Sequence, residues 1–456
     1  MKPNIRIASG QGFWGDLIDA PVYQVFSGQI DYLVMDYLAE VTMSILKKQQ
    51  LRDPKLGYAK DIPALMKKIL PECKKRNIKI ITNGGGVNPV GCAEAVLETA
   101  KELGISVKIA VVTGDDILGS LDELVASGSE LKNMETGEPI SIVKDKILSA
   151  NTYFGAFPIV EGLELGADIV ITGRTTDTGL TLAPMIYEFG WSQDEYDKLS
   201  AGTIAGHILE CGMQASGGNF LGDWESVENF EKPGFPICEA HPDGTFYITK
   251  HETLGGRVSV ATVSEQLLYE IGDPKQYITP DCVADFTSIK LEQESKDRVK
   301  VHSITGSPAT KFYKVSCAYA DGYSAFGQLT YSWPKALTKA KRADEILRGR
   351  LQNLGLQFDE MKTEFVGYNA CHGPAAKELE EDSINEITMR IGVRGKDKKA
   401  IERFGMEIAP LILTGPPAVT GFAGGRPKPQ DVVAYWPALI EKDQVTPKVT
   451  VMEVKA

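Results

Sequence analysis

The sequence predicts an α/β protein of two domains. Residues 1–213 read as a mostly parallel sheet of β-loop-α units, Rossmann-like but without GxGxxG spacing, and residues 214–456 as an α+β domain with a mixed or antiparallel sheet. Three observations carry this. The first half alternates short apolar runs with amphipathic segments, the signature of strands joined by helical crossovers. After Cys211 the chain turns glycine-rich and then into β-branched or alternating runs such as FYIT, VSVATV and KFYKVSCAYA. At 456 residues it is also longer than one hydrophobic core usually serves.

In chain order, Ile5 to Ala8 is the first predicted strand, running into Gly12-Phe13-Trp14-Gly15-Asp16. Tyr32 to Met35 is the second and ends at Asp36, with helical composition from Val41 to Lys48 after Glu40. An amphipathic helix over Asp61 to Lys75 precedes a third strand at Ile78, which stops at Asn83-Gly84-Gly85-Gly86-Val87-Asn88 before a helix from Val90 to Leu103. Val107 to Val112 is the fourth strand and ends at Gly114-Asp115-Asp116. Leu118 to Ser149 reads as an excursion from the sheet. Gly155 to Leu165 is helical, and Ala167 to Thr172 is a fifth strand that ends at Gly173-Arg174-Thr175-Thr176-Asp177. Helices then reach Phe189 and run from Asp194 to Cys211. In the second half, helices are expected at Val263 to Ile271, Pro334 to Leu354 and Lys396 to Ile408, and strands at EFVGYNA, EITMRIGVRG and VTVMEVK.

Composition narrows the function classes. Hydrophobic residues make up 43% and charged residues 24%, close to soluble globular averages, and no apolar run is long enough to span a bilayer. No signal-peptide pattern follows Met1, so the cytoplasm is the default location. The formal net charge of −12, with basic residues dispersed, argues against a nucleic-acid partner. Seven scattered cysteines with no CxxC spacing argue for reduced thiols rather than a disulfide framework or zinc ribbon.

Five predicted strands end in loops of glycine with charged or amide residues, and in an open α/β sheet such loops converge on one crevice. The carboxylates Asp36, Glu40, Asp115 and Asp177 are therefore candidate acid/base groups. Asp115 with Asp116 is a candidate site for Mg²⁺ or another divalent cation. Arg174, Asn83, Asn88 and the backbone of Gly84, Gly85 and Gly86 are candidates for gripping a carboxylate or phosphate. Turn and cap preferences of Asp, Asn and Gly account for any one of these positions taken singly. His207, Glu210 and Cys211 fall on one helical face, giving His207 either a proton-transfer role or that of a core histidine held by its neighbour. Gly217 and Gly218 allow close backbone approach. The run from Gly415 to Pro429 carries Arg426, which is suited to an anion such as the phosphates of coenzyme A or to rigid packing.

Taken together, the stretches GFWGD, IDYLVMDYLAEVTM, TNGGGVNP, ADIVITGR, AGHILECGMQASGG, VSVATVSEQLLYEIGDP and GPPAVTGFAGGRPKP resemble the acyclic terpene utilisation (AtuA) family, from near the N-terminus to about residue 440. The resemblance implies a soluble catabolic protein working near CoA-thioester or hydroxyacid chemistry, of hydratase, dehydratase or carbon–carbon lyase type. It also implies a separate small ferredoxin-like-fold subunit as a partner. A homo-oligomer is expected too. The competing readings are a non-catalytic large subunit of such a hetero-complex and an NAD(P)-dependent oxidoreductase, the latter against the missing GxGxxG.

Overall fold

The computed structural model describes residues 2–421 and 425–455, with the side chains of Glu40 and Asp382 left out. The chain divides into two units, Met1–Ala318 with Tyr435–Ala456, and Tyr319–Ala434. The boundary expected near residue 214 does not separate units, because the strands that follow it join the first sheet.

That sheet has ten strands. Its centre is parallel: β1 (Ile5–Gln11), β2 (Tyr32–Met35), β3 (Lys79–Thr82), β4 (Val107–Thr113) and β6 (Ile169–Thr172), arranged β1-β2-β3-β6-β4. The segment read as an excursion contains β5 (Ile147–Thr152), which lies outside this sheet. β2 and β6 are buried at every position, so their sequences YLVM and IVIT are apolar on both faces. Antiparallel strands extend both sides. β7 (Ile237–Ala240) pairs with β1, followed by β8 (Phe246–Thr249), Arg298–His302 and Lys290–Ser295. Lys448–Val454 pairs with β4 at the opposite edge. The α/β class is as expected, whereas the sheet is mixed and draws five strands from beyond residue 213.

Helices cover both faces. Ala20–Phe26, Ile62–Arg76 and Pro89–Glu102 pack one against the next over Ala8, Leu33, Met35, Ile80 and Ile109. Phe157–Glu164, Gly179–Phe189 and Tyr196–Glu210 form the other layer. Caps set their ends: Asn77 terminates Ile62–Arg76 in the left-handed conformation, and the Asn88 side chain accepts from Gly91 N at 3.0 Å to open Pro89–Glu102. VSVATV, expected as a strand, forms the start of helix Val260–Leu268. There Ser259 and Thr262 make a reciprocal capping pair that outweighs the β-branched propensity.

In the second unit, Glu360–Val366, Glu386–Gly395 and the later part of Phe312–Ser332 form an antiparallel sheet. Helix Ala336–Asn353 buries Ala336, Ala340, Ala343, Leu347 and Leu351, a stripe at helical spacing, against Leu329, Tyr331 and Met389.

Candidate active site

The carboxyl ends of the parallel strands open on a cleft with two lobes, of about 400 Å³ and about 520 Å³. Arg174, Asp177, Glu210 and Glu270 line both. The first lobe adds Tyr153, His207, Tyr277, Phe312 and Lys314; the second adds Asp16, Asp36, Cys211, Gln214 and Gly218.

Arg174, just beyond β6, is 2% exposed. Its backbone N–H donates to Asp115 Oδ2 (2.8 Å), and Nη1 donates to Leu38 O (3.0 Å) and to Asp177 Oδ1 (2.8 Å). The guanidinium carbon stands 4.1 Å from the centre of the Tyr153 ring, a cation–π distance. Burial opposes its charge, but Asp177, Tyr153 and Asp36 more than offset that and hold it protonated. Its Nε is buried without a partner.

Asp36, at the end of β2, is also buried, and Oδ1 accepts from Asn83 Nδ2 (2.6 Å) and from Leu38 N (3.0 Å). Burial and the neighbouring Asp177 charge push its carboxyl well above the usual range, against the pull of Arg174 and Asn83. Arg174 makes its ion pair with Asp177, so Asp36 bears the cost of burial without a cation bonded to it.

His207 and Glu210 lie one helical turn apart on Tyr196–Glu210. The imidazole is 1% exposed, packed edge-on against Tyr277 and Phe286. Nε2 stands 3.0 Å from the carbonyl of Gln266, which can only accept, so Nε2 carries a hydrogen. Nδ1 is 2.8 Å from Glu210 Oε1, an ion-pair distance at an angle off the ideal hydrogen-bond line. An unprotonated Nδ1 facing a carboxylate at that distance sets two lone pairs against each other, so the pair holds a proton between them. Burial lowers the imidazole, but the Glu210 carboxylate outweighs it and the net shift is upward; burial raises Glu210 as well. His207 is held by its neighbour Glu210, as one of the two expectations had it, and its ring also lines the first lobe.

The other sequence candidates fall elsewhere. Gly84, Gly85 and Gly86 are buried, and the expected anion cradle is instead a packed turn: Gly84 N donates to Thr82 Oγ1 (3.0 Å) and Gly86 N to Asn83 O (3.1 Å). A Cβ on Gly85 would stand 2.5 Å from Thr172 O, and Gly86 has φ +55°. Asn83 accepts from Tyr37 N (2.8 Å) while donating to Asp36, and Asn88 caps its helix and donates to Leu56 O (2.9 Å), so both act on the fold. Asp115 lies behind Arg174: its Oδ2 also accepts from Asn151 (2.9 Å), and burial pushes its carboxyl up to about 6. Asp116 turns to Lys47 (3.7 Å) and Leu118 N. The expected metal pair is therefore split between different partners, and among the described residues no three His, Cys, Asp or Glu side chains are placed to hold a metal ion.

Glu40 opens helix Glu40–Arg52, and its side chain lies outside the described residues. Gly218 borders the second lobe, while Gly217 (φ +101°) turns the backbone beside Val227. Arg426 is exposed in the second unit, and Phe422 to Gly424 lie outside the described residues. Cys211 lines the second lobe, but burial and Glu210 push its thiol up to about 12, against a nucleophilic thiolate. Tyr153, Glu270, Tyr277 and Lys314 were not singled out from the sequence. They reach the cleft through tertiary folding and carry no local motif, whereas Glu210 was visible three positions from His207.

A mixed α/β sheet with a cleft lined by charged residues at the carboxyl ends of its parallel strands defines the class of protein. The chain belongs to the acyclic terpene utilisation family, AtuA, whose family model matches residues 5–451. Membership implies a role in acyclic terpene utilisation. No curated protein and no solved structure matches the chain. Among the described residues, no helix is long and apolar enough to cross a membrane.

Proposed function

We propose that the protein is an acid–base catalyst acting on a small carboxylate, hydroxyacid or CoA thioester, adding or removing water or cleaving a carbon–carbon bond. The observation that carries this is the 2.8 Å contact of His207 Nδ1 with Glu210 Oε1 at a wall shared with Arg174 and Asp177. A buried imidazolium–carboxylate pair delivers a proton to a leaving oxygen or receives one from it, the task general acid catalysis requires. Arg174 and Lys314 give the first lobe its positive charge for an anionic or polarised carbonyl group. Asp36, whose carboxyl burial raises, lines the second lobe of the same cleft. Tyr153, Tyr277 and Phe312 give the first lobe an aromatic lining.

The test is turnover of a panel of enoyl- and 3-hydroxyacyl-CoA thioesters and hydroxyacids by the full chain, alone and with Mg²⁺. Expected is activity that His207→Asn reduces by roughly 10²–10⁴-fold with the fold intact. Inertness of the wild-type protein across the panel removes the reading.

A further inference from the structure

We propose that Glu270 is a catalytic residue of the cleft, the base that works opposite the His207–Glu210 acid. This rests on the water-adding and water-removing form of the function proposed above. Three carboxylates line both lobes, and two of them are committed: Asp177 to Arg174 at 2.8 Å and Glu210 to His207 at 2.8 Å. Glu270 is exposed to the cleft solvent and, among the described residues, makes no ion pair of its own; its neighbour is the Tyr269 hydroxyl. It is close enough for its charge to act on His207, Glu210, Cys211 and Tyr277, residues from two different elements of the wall.

The backbone supplies an independent observation. Glu270 has φ +55°, in the left-handed region that a glycine or asparagine occupies more readily. It stands just past helix Val260–Leu268, where Gly is the common choice for that conformation. A long carboxylate kept at such a position costs on the order of 1 kcal/mol of backbone strain, and strain of this kind concentrates at functional sites. It lines both lobes of the cleft.

In the elimination direction, the Glu270 carboxylate takes a proton from the carbon beside the carbonyl. The C–H electron pair is held first on the carbonyl oxygen as an enolate, and then closes the new double bond as the neighbouring C–O bond breaks. The departing oxygen takes the proton of the His207–Glu210 pair and leaves as water. Hydration runs the same steps backwards, and no electron is gained or lost.

The experiment uses the full chain with the panel named above, run in deuterated water, and reads deuterium entry beside the carbonyl separately from loss of water. Glu270→Gln is expected to lower kcat by roughly 10²–10⁴-fold and to abolish deuterium entry, with KM within about threefold. His207→Asn is expected to lose water elimination while retaining deuterium entry. Glu270→Gly, which removes the carboxylate and relieves the backbone, is expected to be inactive with a Tm equal to or above wild type. Turnover by Glu270→Gln within about fivefold of wild type, alongside an inactive His207→Asn, sinks the assignment and leaves the acid–base reading standing. A Glu270→Gly protein that melts below wild type overturns the strain argument, and a wild-type protein inert across the panel removes both.

Discussion

Two loops occupy equivalent places at the carboxyl edge of neighbouring strands, yet they do opposite work. After β3, Asn83 to Asn88 folds inward: its glycines are buried, the N–H groups of Gly84 and Gly86 are used within the turn, and Gly85 is wedged under Thr172 O. After β6, Gly173 to Asp177 turns outward and presents Arg174 and Asp177 to both lobes of the cleft. The glycine-rich loop is the more conspicuous in sequence and the quieter in chemistry. Three glycines in a row mark a backbone that something must approach closely, and here the approaching group is the protein itself.

The contrast is open to attack at several points. The largest effect is expected at Gly85→Ala. A Cβ 2.5 Å from one backbone oxygen and 2.8 Å from Pro89 Cα cannot be absorbed by a side-chain rotation, so at least about 3 kcal/mol of stability should be lost in urea unfolding. A fully stable Gly85→Ala with altered substrate affinity would return the loop to the binding site.

Next in size, Arg174→Met should lower kcat/KM by at least roughly 10²-fold and also destabilise the chain, since it leaves Asp177 without its cation. Arg174→Lys should recover only part of both, because a lysine ammonium cannot reproduce the guanidinium's fork of contacts. An unchanged kcat/KM in Arg174→Met would place the chemistry elsewhere.

A smaller effect is expected at Asp115, which props Arg174 from behind. Its folded pKa of about 6 lies above the unfolded value of roughly 4, so the native state binds the extra proton, and stability falls as pH rises through that window. Asp115→Asn keeps an acceptor for Arg174 N–H and removes the charge. It should flatten the stability profile between pH 4 and 6 and gain on the order of 1–2 kcal/mol at pH 7, measured by thermal melts across that range. A profile unchanged by the substitution would contradict the burial argument. The His207–Glu210 pair has the same sign: His207 is raised above its unfolded value of roughly 6.5, so its stabilisation is complete below that pH and is lost as pH rises through the folded pKa. The stability gap between wild type and His207→Asn should accordingly narrow in alkali.

The smallest effect belongs to Asn88→Ala. Loss of one helix cap should cost about 1 kcal/mol and leave turnover untouched. Loss of activity without loss of stability at Asn88 would break the division between the two loops.

The sequence made the edge legible but not which residues on it face the cleft. Asp36, Asp177, Arg174 and His207 were identified because strand ends and helical spacing are local patterns. Asp115 and Asn83 share that local signature and yet turn inward, because the deciding factor is which neighbour fills the space: Arg174 N–H and Asn151 for Asp115, Tyr37 N and Asp36 for Asn83. Glu270 and Tyr277 come from a stretch read as a separate domain, and only the antiparallel extension of the sheet through β7 and β8 shows that this stretch belongs with the first unit. The strand misread at VSVATV follows from the same limit, since a two-residue capping pair overrode six residues of propensity.

The pairing of β4 with Lys448–Val454 has a consequence for synthesis. Thr113 and Lys448 are 335 positions apart, so an apolar strand reading VKIAVVT waits with its outer edge unpaired while the intervening chain is made. At 5–20 residues per second that interval is on the order of 20–60 s. For that time the nascent sheet offers a β-branched edge free of proline, a template for pairing with other chains. The pairing of Lys448–Val454 is thus the closure that ends this exposure.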